Sequence, residues 1–158
     1  MDLDNKKSAF SLIELLIVIG IISILATLLT SNLLNTFYQN NLKGDASKIA
    51  ATLRAARDKS ITQENSQQWG VHFVNSSTST DYYVLFGGPS FSSSTIISRV
   101  NLNPDVVFQN PPNSSSTDII FQKMTGLPVA TSSIIISLMN NSSNAMTISI
   151  ISSGEVQY

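Results

Sequence analysis

The chain has 158 residues, a net charge of −1 and no cysteine. This length allows one domain with a short appendage, and the charge balance does not indicate a nucleic-acid-binding surface over the whole chain. The lack of thiols excludes disulfides, thiolate metal sites and cysteine nucleophiles. Charged residues make up only 12% of the chain, and its second half is rich in Ser, Thr and Asn. This composition favours a β-rich domain outside the cytoplasm.

The N-terminus combines a short polar leader, residues 1–9, with a long apolar run over residues 10–34. The run is long enough to span a bilayer, which requires about 20 apolar residues in a helix. Lys6 and Lys7 precede it, and no positive charge follows until Lys43. The positive-inside rule therefore predicts a single membrane-spanning helix with a cytoplasmic N-terminus and a C-terminal domain on the other side.

One acid, Glu14, interrupts the apolar run. A carboxylate within the hydrocarbon costs about 2.5–3.5 kcal/mol on insertion scales, and residues of this kind usually have a function. An ordinary secretory signal has a shorter apolar core, no acid within it and small residues at a cleavage site after it. Ala26 and Ser31 imitate such a site only weakly. The plainer interpretation of Glu14 is a side chain that reaches the lipid interface by snorkelling.

The segment SAFSLIELLIVIGIISILATLL resembles the type III signal of type IV prepilins and type II secretion pseudopilins. In that family a prepilin peptidase cuts before the apolar run, after a small residue that is normally Gly and before a Phe, with a Glu four residues further on. The resemblance implies cleavage between Ala9 and Phe10, after a leader whose basic residues are Lys6 and Lys7, and N-methylation of Phe10. Ala9 in place of Gly departs from the family pattern. The resemblance covers roughly the first fifth of the chain.

The resemblance also implies a role for Glu14 in assembly. After cleavage, Phe10 would carry a cationic amine at the lipid boundary, and a carboxylate one helical turn away could neutralise it on the same subunit or a neighbour. Pairing with the amine of a subunit already in place would fix the axial register of packed helices. The implied partners are a prepilin peptidase, other pilin or pseudopilin subunits, an inner-membrane assembly platform and the cytoplasmic membrane.

The helical pattern continues beyond the apolar run. Apolar residues recur at steps of three and four, which is typical of an amphipathic helix: Leu34, Phe37, Tyr38, Leu42, Ala46, Ile49, Ala50, Leu53 and Ala56. We predict one helix from Phe10 to about Thr62, amphipathic over residues 35–62. Gly44 is a soft spot within it. The basic residues Lys43, Lys48, Arg54, Arg57 and Lys59 allow a DNA-binding face, whereas the acids between them favour a solvated helix face.

Residues 63–158 predict a globular β domain. Strand patterns bounded by turn residues occur at 69–74, 82–86, 95–102, 106–108, 118–122, 134–138, 145–151 and 155–158. Clusters of Asn and Ser at 75–79, 113–116 and 140–144 predict loop tips. The fold class is therefore α+β, a long N-terminal helix whose second half packs on an antiparallel β-sheet, as in the pilin-like fold.

No catalytic set, cofactor site or metal site is predicted. His72 is the single histidine, which excludes His-based triads and multi-His metal sites, and the alternation around it predicts a solvent-facing strand residue. Asp81, Asp105 and Asp118 are too scattered to predict a calcium site. Trp69 is predicted to anchor the core.

The sequence thus predicts a structural subunit of a type IV pilus or a type II secretion pseudopilus, and not an enzyme. The segments LRAARDKSITQENSQQWGVHF and SGEVQY resemble the H-class pseudopilin of type II secretion and the minor pilins that prime type IV pili. The alternative is a competence or adhesive tip pilin that binds DNA or a surface through its β domain.

Overall fold

A computed structural model of the chain describes residues 11–91 and 96–158, except for the side chains of residues 27–32. The described residues form helix α1 (Leu12–Ile61) and a short 3₁₀ helix (Glu64–Ser66), followed by strands β1 (Trp69–Asn75), β2 (Tyr82–Gly87), β3 (Ile96–Asn101), β4 (Val106–Asn110), β5 (Ser115–Phe121), β6 (Ser132–Leu138), β7 (Asn141–Ile150) and β8 (Val156–Gln157). The chain divides into two compact units, Met1–Phe37 and Tyr38–Tyr158.

The first unit consists, as far as it is described, of the N-terminal part of α1. The chain contains no proline before Pro89, so no residue of this segment lacks the backbone N–H that the helical hydrogen bonds use. Among the described residues, no helix reaches the length and hydropathy of a membrane span.

The second unit begins with the remainder of α1, which buries one stripe of mostly apolar side chains. The stripe consists of Leu42, Ala46, Ile49, Ala50, Leu53, Ala56 and Ser60. Steps of three and four residues place these positions on one helix face. They belong to the same core as the inward-facing strand residues, so the prediction of a long helix packed by its second half on antiparallel strands is confirmed.

The strands form two antiparallel sheets of four strands each. Sheet A has the order β3-β2-β1-β5, and sheet B has the order β4-β6-β7-β8. All eight predicted strands are present, and they divide between two sheets where the sequence indicated one. Alternation along β1 directs Trp69, Val71 and Phe73 into the core, because successive side chains of a strand point to opposite faces.

Phe73 and a pair of polar side chains join the two sheets. The Phe73 ring lies 5.9 Å from Tyr83 of sheet A and 5.8 Å from Phe108 of sheet B, the latter edge to face. Burial raises the pKa of Tyr83 above 10.0, so its phenol is neutral at physiological pH. Asp81 accepts a 2.8 Å hydrogen bond from the Phe108 backbone N–H, and Asn75 donates a 2.8 Å bond to the Phe108 carbonyl. These bonds satisfy the backbone N–H and carbonyl of Phe108 in β4.

All three predicted loop tips lie partly in strands, and Asn75, the first residue of the tip at 75–79, is the last residue of β1. Strand β7 begins at Asn141 and β5 begins at Ser115, so the expectation of loops over 113–116 and 140–144 was wrong for their C-terminal parts. The backbone of β7 pairs with β6 from Asn141 onward, while the side chains of residues 141–143 are exposed. A strand tolerates such polar residues where their side chains point to water.

Two glycines give a matched prediction for stability. Gly154 has a φ of +80°, and a Cβ there would collide with the carbonyl oxygen of Gly126, whereas a Cβ at Gly44 meets nothing within 4 Å. We expect Gly154→Ala to lower the free energy of unfolding by about 1–3 kcal/mol. Gly44→Ala should raise it by roughly 0.5–1 kcal/mol, because Gly44 lies in the interior of α1. Chemical denaturation of the full chain in detergent, followed by Trp69 fluorescence, measures both; equal effects of the two changes would contradict the prediction.

Candidate functional site

The N-terminal part of α1 exposes apolar side chains around its whole circumference. Every large apolar side chain from Leu12 to Leu25 is exposed, from 45% at Val18 to 81% at Leu12. A soluble helix confines such residues to one stripe, and a helix that is apolar all round is buried in lipid or in a larger core. This segment, residues 12–25, is called the assembly segment below, and it requires apolar surroundings that the described part of the chain does not provide.

Glu14 is the one charged residue of the assembly segment. It is exposed and lies in the first turn of α1, where the positive end of the helix dipole favours a carboxylate. Among the described residues, no hydrogen bond or ion pair to its carboxylate is present. Ser23 differs, because its hydroxyl donates a 2.8 Å hydrogen bond to the Ile19 carbonyl of the same helix. Glu14 is thus the polar group of this segment that is left for an external partner.

The other predicted residues of the processing site are Lys6, Lys7, Ala9 and Phe10, and all four lie outside the described residues. The cleavage junction and the methylated amine therefore stay predictions.

Four of the five basic residues of the second helical half contact the chain itself. Arg54 donates a 2.9 Å bond to the Val156 carbonyl, and Arg57 donates a 3.5 Å bond to the Ser153 carbonyl. The remaining two form ion pairs: Lys48 with Asp45 at 3.1 Å and Lys59 with Glu64 at 2.6 Å. These contacts neutralise two lysines and tie both arginines to the end of the chain. They weaken the interpretation of this face as a DNA-binding face, because contacts with DNA phosphates require basic side chains that point outward.

Asp45 is a buried carboxylate, and the sequence-based interpretation placed it on a solvated face. Its side chain is 2% exposed and accepts hydrogen bonds from the backbone N–H of Asn103 at 2.7 Å and the Asn103 side-chain amide at 2.8 Å. Asp45 thereby fastens α1 to the segment between β3 and β4. One signal could have revealed this position: it lies three residues after Leu42 and four before Ile49, within the apolar stripe.

The outer face of sheet A, which points away from the core, carries a cluster of aromatic and charged side chains. The His72 ring stacks on Phe91, with 3.8 Å between ring centroids and an interplanar angle of 5°, and its Nδ1 pairs with the carboxylate of Asp118. The Arg99 guanidinium lies 3.6 Å above the Tyr82 ring. The expectation of a solvent-facing His72 was correct for its strand face but wrong for its exposure, because the His72 side chain is only 12% exposed.

Two clefts flank the loop between β1 and β2. The larger, about 790 Å³, is lined by residues of this loop and of strand β4, including Val107, and by Met139. The smaller, about 380 Å³, lies on the outer face of sheet A; it is called the outer pocket below, and the residues that define it are His72, Val74, Ser77, Tyr82 and Ser116.

Two kinds of comparison with known proteins gave matches, one of the N-terminal sequence and one of the fold. Residues 4–30 match the family described as the prokaryotic N-terminal methylation motif. The chain has a fold similar to that of the type IV minor pilin FimU of Pseudomonas aeruginosa PAO1, in crystal structures of space groups P65 and P21. Both similarities have a TM-score of 0.55 at 14% identity; they cover 73% and 75% of this chain, and 90% and 87% of the FimU chains. No curated protein sequence matches the chain.

Proposed function

We propose that this chain, a type IV pilin-like protein by its N-terminal motif and its fold, is a minor structural subunit of a type IV pilus or of the related type II secretion pseudopilus. The motif and the fold are those of structural subunits, not of enzymes. The similarity to a minor pilin in fold supports the choice of a minor over a major subunit.

The observation that carries the proposal is the exposed assembly segment with its single acid. Eleven large apolar side chains between Leu12 and Leu25 are exposed, and at about 0.8 kcal/mol per buried CH₂ their burial is a strong driving force for association. Apolar burial alone does not fix how far one helix slides along another. Glu14 supplies that register, because an ionised carboxylate in apolar surroundings is costly unless it meets a cation.

The cation that Glu14 meets is, in this proposal, the amine of Phe10 in a neighbouring subunit. A prepilin peptidase removes residues 1–9, the new amine of Phe10 is methylated, and the chain is held in the cytoplasmic membrane by residues 10–34 with the C-terminal unit outside. An inner-membrane platform then transfers the subunit into the filament. The N-terminal methylation motif at residues 4–30 supports processing and anchoring of this kind.

Processing gives the direct test of the proposal. Co-expression of the chain with a prepilin peptidase should produce a mature protein that begins at Phe10 and carries the mass of one added methyl group, as measured by intact-mass spectrometry. The family pattern has a small residue, normally Gly, before the junction. Ala9→Gly should therefore be cleaved at least as completely, and Ala9→Glu should block cleavage. A mature N-terminus at any other residue would contradict the proposal.

A further inference from the structure

The outer pocket on sheet A has a composition that indicates a ligand. Cross-strand pairing places Tyr82, Val74 and Ser116 in one row and Val84, His72 and Asp118 in the next, and side chains of such rows share a sheet face. The pocket formed there, about 380 Å³, falls within the ~300–1,000 Å³ range of small-molecule sites.

The His72 ring of the pocket is held in place, and several hydroxyls of the pocket lack a partner in the described part of the chain. Stacking on Phe91 and the pair with Asp118 fix the His72 ring through Nδ1, so Nε2 is the nitrogen available to a ligand. Arg99 of β3 lies over the Tyr82 ring, and Tyr82 also lines the pocket together with residues of β1 and β5. Among the described residues, the hydroxyls of Tyr82, Ser77 and Ser116 form no hydrogen bond with the chain.

The chemistry of the lining excludes several classes of ligand. The lining has no unpaired charge, because His72, the one titratable group apart from the Tyr82 phenol, already faces Asp118; this disfavours an ionic ligand. Val74 is its one aliphatic side chain, which disfavours a fatty or hydrocarbon ligand. In the described part of the chain, no three His, Asp or Glu side chains lie close enough to hold a metal ion.

A neutral ligand with many hydroxyls and one apolar face matches the hydroxyls, the His72 nitrogen and the Tyr82 ring of this lining. We infer that the outer pocket binds a saccharide, whose C–H face lies against the Tyr82 ring and whose hydroxyls bond to His72 Nε2 and to the serine hydroxyls. Aromatic rings with a negative face attract polarised C–H groups, and serine hydroxyls both donate and accept. The inference does not depend on assembly of the chain, because none of these residues belongs to the assembly segment.

Saturation-transfer NMR on the full chain tests the inference, in a zwitterionic detergent whose head group contains no sugar. The probes are the methyl glycosides of glucose, galactose, mannose and N-acetylglucosamine. We expect saturation transfer to at least one of them, with a dissociation constant in the millimolar range. Tyr82→Ala should weaken this binding tenfold or more. Tyr158→Ala, which removes an exposed tyrosine elsewhere on the unit, should leave it unchanged.

A second variant keeps the test decisive if Tyr82→Ala does not fold. Ser116 is exposed on β5, so Ser116→Phe fills the outer pocket without removal of any core contact and should also abolish saturation transfer. Absence of transfer to all of the glycosides would overturn the inference. So would equal losses in Tyr82→Ala and Tyr158→Ala, or binding of a short oligothymidine in place of every glycoside, because stacked bases also bind to aromatic sheet faces.

Discussion

Glu14→Ala should leave the leader cleaved and methylated but reduce the amount of the chain in filaments by tenfold or more. The variant retains every apolar contact of the assembly segment, so it still favours apolar surroundings. It leaves the Phe10 amine of the neighbouring subunit without a counter-charge. Removal of one partner of a buried ion pair costs about 3–5 kcal/mol, and a tenfold loss corresponds to only ~1.4 kcal/mol.

The measurement is the ratio of filament-bound to membrane-bound chain in the native host, with the mature mass as the readout for processing. Ser23→Ala is the matched control, because Ser23 lies in the same exposed apolar segment and already bonds to its own helix. Glu14→Gln removes the charge while it nearly retains the shape of the side chain, and it should reduce the amount of the chain in filaments as Glu14→Ala does. Filaments with a normal content of the Glu14→Ala chain would refute the charge-pairing account. The prediction of cleavage between Ala9 and Phe10 would not be affected by that result.

Asp45→Ala should lower the free energy of unfolding of the C-terminal unit by about 3–5 kcal/mol. The substitution leaves the backbone N–H of Asn103, which bonds to Asp45 at 2.7 Å, without an acceptor. It also removes the second bond of Asp45 to the segment between β3 and β4, so that the bond from Asn41 to Asp105 remains as a hydrogen bond from α1 to this segment. Hydrogen bonds to a charged group contribute about 1.5–3 kcal/mol each, so the loss of two of them accounts for the expected size.

Denaturant unfolding monitored at Trp69 measures this loss, and Asp58→Ala serves as the control. Asp58 is an exposed acid on the same helix, and we expect its removal to change stability by less than about 0.5 kcal/mol. Asp45→Asn should fall between the two, because its amide oxygen can accept one of the two hydrogen bonds. A loss of under ~1 kcal/mol for Asp45→Ala would mean that water replaces the carboxylate and that this side chain does not hold the segment.

The two halves of the chain differ in how far their sequence predicts their structure. The periodicity of apolar residues predicts the long helix and its buried stripe, and the alternating segments predict all eight strands, because both patterns express local backbone geometry. The exposed character of the assembly segment is consistent with the same reasoning, since a helix that is apolar on all sides cannot be covered by packing along one stripe.

Other features depend on which distant segments meet. The division into two sheets is set by strand order, with β5 next to β1 and β4 next to β6, and no local pattern specifies these non-consecutive neighbours. The pairing of His72 with Asp118, 46 residues further on, arises only when β1 and β5 are in register, and its stacking requires Phe91, which follows β2, to reach β1.

By itself, the sequence determined the α+β class, the helix and the strands, and it singled out Glu14, because hydropathy and period are properties of neighbouring residues. Only the tertiary structure decided that the Asp45 carboxylate is buried and bonded to Asn103, and that four of the five basic residues in the second half of the helix form hydrogen bonds or ion pairs within the chain. It also decided that Tyr82, His72 and Ser116 line one pocket. The physical reason is that burial and hydrogen-bond partners depend on contacts between residues far apart in the chain, and those contacts are fixed by strand order and register.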